Sequence, residues 1–120
     1  MMELNEWLEQ TSEARAKLLT YSKTRLPADA TERHLDMDEL LQNEHDAYVL
    51  LEEAKSFAIE AEAVATQKIR RDYSDYTAGE RRVMVKREIK NVVELVAGLS
   101  ILARTLSSRR FAEMNAARAQ

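Results

Sequence analysis

An all-α fold, elongated and oligomeric, follows from three features of these 120 residues. Two glycines and one proline leave almost nothing to build tight turns from, so long uninterrupted elements are expected. Ala, Leu, Glu, Arg and Lys dominate, while β-branched and aromatic residues are sparse outside one Val-rich run. That is the composition of a helical or coiled-coil protein. Two apolar seams also run at alternating spacings of three and four residues, the repeat of a helix with one buried stripe. The chain suits one domain and is short for two. The expectation is a single unit over 1–120, a helical hairpin or bundle of three long helices plus a short C-terminal one.

The first helix is expected over about Leu4–Ser22, in an N-terminal segment 1–23. Leu4, Trp7, Leu8, Thr11, Ala14, Leu18 and Tyr21 fall on one face at helical spacing. Leu26-Pro27 ends it, because proline disfavours helical geometry in the residue before it. Residues 24–35 read as the linker. Helix 2 begins at Asp36, which forms a capping-box pattern with Glu39, and Leu35 stands in the staple position. Its seam is Ala47, Leu50, Ala54, Phe57, Ala61 and Val64, widened by Leu51, Ala58 and Ala65. Within a segment 36–76, a helix unbroken to Tyr73 is about 57 Å long. No compact globule of this size is that wide.

Thr77 and Glu80 repeat the capping-box pattern and open the last segment, 79–120. Its seam is Val85, Ile89, Val92, Val96, Leu99, Ala103 and Leu106, and Val93, Leu95, Ala97, Ile101 and Leu102 make the middle apolar nearly all round. One intrachain partner cannot bury such a helix on every side, so subunit association is expected. The residues assigned to it are Val92, Val96, Leu99, Leu102, Leu106 and Phe111, with Gly98 and Ser100 permitting close backbone approach. Ser107-Ser108 are placed to cap a short final helix from Arg109 to about Ala119, anchored by Phe111 and Met114.

Several chemistries are missing. With no cysteine there is no disulfide, thiolate metal site or cysteine nucleophile. His34 and His45 are preceded, three positions earlier, by Thr31 and Gln42, so the Glu-x-x-His pairs of carboxylate metal bundles are absent. Exposed histidines are the better reading. Gly79 and Gly98 are the only glycines and build no phosphate loop. No enzyme activity, metal or cofactor is expected. The opening Met2-Glu3-Leu4-Asn5-Glu6 is acidic and reaches no signal-peptide core. The apolar run Val92–Leu102 is interrupted by Glu94 and falls short of a span of ~20 residues. A soluble, cytoplasmic protein without membrane contact is expected.

Charge is divided along the chain. Residues 1–60 carry six Lys/Arg against fourteen Asp/Glu, a net of −8; residues 61–120 carry twelve against seven, a net of +5, which together give the −3 of the whole. Either the halves neutralise each other within or between subunits, or the basic half meets a polyanion and releases its counterions. The cations cluster as Lys68, Arg70 and Arg71, then Arg81, Arg82, Lys86, Arg87 and Lys90, then Arg104, Arg109 and Arg110. The first two clusters flank Tyr73, Tyr76 and the Thr77–Gly79 turn. Cations suit phosphates and flat rings suit unpaired bases, so the pairing favours a single strand over duplex. The expected contacts are Lys68, Arg70, Arg71, Tyr73, Arg81, Arg82 and Lys86. The alternative has the tyrosines packing on neighbouring helices and the cations pairing with Asp72, Asp75 and Glu88.

Lys68-Ile69-Arg70-Arg71-Asp72-Tyr73 resembles the Lys-x-Arg-x-Asp-Tyr core of the UvsY family, the recombination mediators of T-even-like phages. Ser108-Arg109-Arg110-Phe111-Ala112 is similar to that family's Ser-Arg-x-Phe-Ala segment, and the two stand in the family's order. In layout the resemblance covers residues 45–118. It implies a non-enzymatic, ring-forming helical protein in the host cytoplasm that binds single-stranded DNA. Such a protein helps load the phage recombinase onto strands covered by single-strand-binding protein. Lys68 and Arg70 match the family's DNA-contacting positions. The stretch between the segments is shorter here, Arg110 replaces a residue that can be small, and the acidic N-terminal half has no aligned counterpart. The rival reading is a coiled-coil scaffold in which the charge division serves head-to-tail subunit pairing.

Overall fold

The computed structural model describes residues 2–26 and 35–119; the expectations for Pro27, the linker as far as 34 and His34 lie outside the described residues. Four helices follow in order, α1 Leu4–Arg25, α2 Met37–Asp72, α3 Ala78–Glu88 and α4 Lys90–Ala119, with no strand among the described residues. Helix α1 runs on past the expected end at Ser22, its last turn carrying Lys23 and Arg25 at the negative end of the helix dipole. Asp36 caps α2 by accepting from the backbone N–H of Asp38 at 3.0 Å and of Glu39 at 3.5 Å. Thr77 and Glu80 form the full capping box at the start of α3.

Helix α2 is the spine. At 1.5 Å per residue its 36 residues span about 54 Å, and the whole molecule measures 66 × 28 × 20 Å. Both α1 and α4 lie antiparallel to it. On α1, Trp7 meets Phe57 with ring centroids 5.6 Å apart, while the phenol of Tyr21 lies in the field of Glu39 and Arg109. On α4, Ser107 shares a hydrogen bond of 2.9 Å with Tyr48, and Arg110 reaches Glu44. The core is the line where the three meet: Trp7, Leu18 and Tyr21 against Leu40, Leu50 and Ala54, and Leu99, Ala103 and Leu106. Beyond the start of α1, only α2 and α3 continue. They form a two-helix arm that ends in the turn 73–77.

Three expectations need correction. The apolar helix expected ahead of a short C-terminal one in 79–120 is instead divided, α3 parting from α4 at Ile89, whose φ −101°, ψ 9° departs from helical geometry. The step falls where burial begins, since α3 buries no residue and the buried stripe of α4 starts at Val92. The second concerns Ser107-Ser108, which cap nothing: α4 runs through them to Ala119. Leu106 is fully buried just before them and Arg110 is tied to α2 just after, so both sides are held on one neighbour. The Ser107 hydroxyl is spent on Tyr48 rather than on a cap. Third, the seam of α2 drifts. Val64 is 61% exposed, while Ala65, expected at the widened edge of the stripe, and Ile69 beyond it are buried. A straight helix gains ~20° per heptad on a strict seven-residue repeat, and by the second heptad past Leu50 the buried face has moved on.

Candidate nucleic-acid interface

The arm tip is built by two capping devices and a turn without glycine. Tyr73 closes α2 by donating to Ile69 O at 2.9 Å, Tyr76 donates to Tyr73 O at 3.1 Å, and Arg81 N–H returns to Thr77 O at 3.0 Å. The rings of Tyr73 and Tyr76 meet edge to face, centroids 5.4 Å apart and planes at 88°, and stay 41% and 44% exposed. Neither packs on a neighbouring helix face as a core residue.

Around this tip the expected cations divide. Lys68 and Arg70 are two residues apart, which is 200° around a helix, so they leave α2 on opposite flanks. Lys68 lies on the flank nearer the start of α1, where its amine is 3.2 Å from the Glu88 carboxylate. Arg70 lines the other groove with Thr66 and Glu62 of α2 and with Arg81 and Arg82 of α3. Arg71 bonds its neighbour Asp72 at 3.0 Å, and that bond, with the Asp72 charge, holds its proton more tightly than usual. Arg81 turns inward and donates to Tyr76 O at 2.6 Å and Ser74 O at 3.2 Å. Arg70, Arg82, Lys86 and Arg87 have no ion pair among the described residues. The structure thus brings Arg70, Arg81 and Arg82 to one groove and leaves Lys68 outside it. Arg87, in the sequence cluster but not among the assigned contacts, joins the unpaired set.

The third basic cluster is structural. Arg110 Nε contacts both carboxylate oxygens of Glu44, at 2.7 and 2.9 Å, which joins α4 to α2. Arg109, its side chain 10% exposed, bonds Glu113 at 2.9 Å. Arg104 reaches back only to Ser100 O, at 3.4 Å.

The residues assigned to assembly also divide. Leu99 and Leu106 are buried in the core with α2 and α1, Val96 and Leu102 are half-buried against it, and Val92 is buried outside that cluster, so packing within the protomer already uses all five. Phe111 is 58% exposed. On the far side of α4, at 3–4 residue spacing, Val93, Ala97 and Ile101 are exposed, and a Cβ built on Gly98 meets nothing within 4 Å. Intrachain packing, invisible to a single helix's pattern, decides which side is spare. His45 is exposed, and no group of metal-ligating side chains forms among the described residues. Among the described residues, no helix is long and apolar enough to cross a membrane. Compared with protein-family models, curated proteins and solved structures, the chain matches none.

Proposed function

We propose that this protein is a non-enzymatic recombination mediator that binds single-stranded DNA through the tip of its two-helix arm. In this reading it assists a phage recombinase on strands covered by single-strand-binding protein. One observation carries the binding: Arg70 and Arg82, without ion pairs among the described residues, line one groove with Arg81 beside the turn that exposes the Tyr73 and Tyr76 rings. Unpaired guanidinia can meet phosphates without first breaking a protein ion pair, and exposed rings give bases a surface of ~1–3 kcal/mol each. The mediator role rests on the motif resemblance at Lys68–Tyr73 and Ser108–Ala112. Assembly belongs to the same proposal, with Val93, Ala97, Ile101 and Phe111 as the face that a second copy covers. Several arms then act on one strand, and modest contacts multiply through effective concentration.

Fluorescence anisotropy with labelled oligo-dT across a salt series tests it. Wild-type protein binds at micromolar concentration or tighter, with affinity that falls as salt rises. Arg70→Ala with Arg82→Ala flattens the slope by about 1.4, the value for two lost single-strand phosphate contacts. Lys68→Ala does less, since Glu88 already holds that amine. No binding by the wild type rejects the proposal. It would favour the scaffold reading, for which the exposed outer face of α4 is the supporting observation.

A further inference from the structure

Arg81 is the one cation of the tip whose guanidinium is spent on backbone. Its Nη1 donates to Tyr76 O at 2.6 Å and to Ser74 O at 3.2 Å, five and seven residues back. The turn it spans has unusual needs. Residues 73–77 are Tyr-Ser-Asp-Tyr-Thr, with no glycine or proline, and no residue among those described has positive φ. No special backbone geometry therefore holds the turn, and past the end of α2 its carbonyls lack helical partners. A charged donor on two of them is the strongest restraint available there. Arg81 is itself fixed, because it follows the Thr77–Glu80 capping box and its N–H bonds Thr77 O at 3.0 Å.

What the clamp holds is the tyrosine pair. Tyr76 carries the carbonyl that Arg81 grips, and the Tyr76 N–H bonds Tyr73 O at 3.1 Å. With planes at 88° the rings meet edge to face and are not stacked on each other, so ring face is open to solvent. Resting on the single-strand reading above, we propose that Arg81 is the positioning residue of a base-stacking tip for an unpaired nucleobase and not a phosphate ligand. Arg70 and Arg82, in the same groove without ion pairs, take the phosphates.

The test uses full-length protein and a dT oligonucleotide carrying one 2-aminopurine, whose emission reports stacking. Amide exchange at Tyr76 and the salt slope of binding are followed in parallel. In Arg81→Ala, exchange at Tyr76 rises about tenfold. The 2-aminopurine signal is lost, and affinity falls about tenfold with the wild-type salt slope. Arg81→Lys, which keeps the charge but ends one atom short of the Nη1 position that reaches both carbonyls, resembles Arg81→Ala. Tyr73→Leu with Tyr76→Leu keeps the clamp and loses the stacking signal. If Arg81→Ala instead lowers the slope by about 0.7 while exchange and stacking are unchanged, Arg81 is a phosphate ligand and the proposal is overturned. Wild-type protein that ignores the oligonucleotide removes the strand reading and the stacking role together. The exchange measurement still judges the clamp in that case, and equal exchange in wild type and Arg81→Ala rejects it.

Discussion

Single residues in this protein carry unequal weight, and burial sorts them. Leu106 is fully buried between helices while Ile101, five residues earlier, is 58% exposed. Leu106→Ala leaves a cavity and costs about 3 kcal/mol, whereas Ile101→Ala changes stability by less than about 0.5 kcal/mol. Urea unfolding of the two variants reads the difference directly. Tyr21 is the unusual core residue, since its hydroxyl is buried without a hydrogen-bond partner. Burial, and then the Glu39 charge, push its phenol above the ordinary value of 10.0. A phenol that holds its proton better folded than unfolded contributes fully below the unfolded pKa, and that contribution is lost as pH climbs through the folded one. Stability therefore declines above about pH 10, and Tyr21→Phe removes that part of the decline. At neutral pH the same substitution removes an unsatisfied hydroxyl and raises stability by about 1 kcal/mol. Unfolding midpoints at about pH 7 and pH 10.5 check both effects.

At the scale of elements, α3 depends on its cap more than on its packing, because it buries no side chain. Thr77→Ala costs about 1 kcal/mol, read as faster amide exchange confined to α3. The Thr77 backbone N–H, and then its side chain, hold the Glu80 carboxyl below the usual glutamate range. An acid with a depressed folded pKa supports the fold above its unfolded pKa and stops doing so as pH falls through the depressed one. The first turn of α3 accordingly frays in acid, and Glu80→Gln makes its amide exchange insensitive to that acidification. The cap was legible because it is local, a Thr and a Glu three residues apart. So were the seams, as 3–4 spacings. Val64 misled because the drift that replaces it with Ala65 shows only when the helix is packed straight. Ser107 misled because its partner, Tyr48, is 59 residues away. The groove of Arg70, Arg81 and Arg82 and the inward turn of Arg81 likewise depend on how α3 folds back on α2.

For the whole molecule, shape and charge distinguish the two ends. The radius of gyration is 18.8 Å, against about 14 Å for a compact chain of this length. The acidic N-terminal half meets the basic half through Glu44 of α2 and Arg110 of α4, so part of the charge division is settled inside the protomer. Arg70 and Arg82, which have no ion pair among the described residues, lie in the groove beside the arm tip, far from that contact. In the proposed function a rod with one binding tip gains little alone, since a few surface cations hold a strand weakly and salt screens them. In the proposed reading, copies joined side by side along α4 present several tips to one strand, and avidity then adds about 100-fold or more without any new contact. Val93→Glu with Ile101→Glu changes only exposed positions, so the protomer folds normally while an apolar face becomes charged. In sedimentation velocity the variant runs as a single 13.8 kDa chain. Its affinity for a long oligo-dT drops toward that for a short one, while the short-oligonucleotide affinity stays unchanged. A variant that sediments as wild type places the interface elsewhere. One that dissociates yet binds long strands undiminished shows that the tip works without assembly.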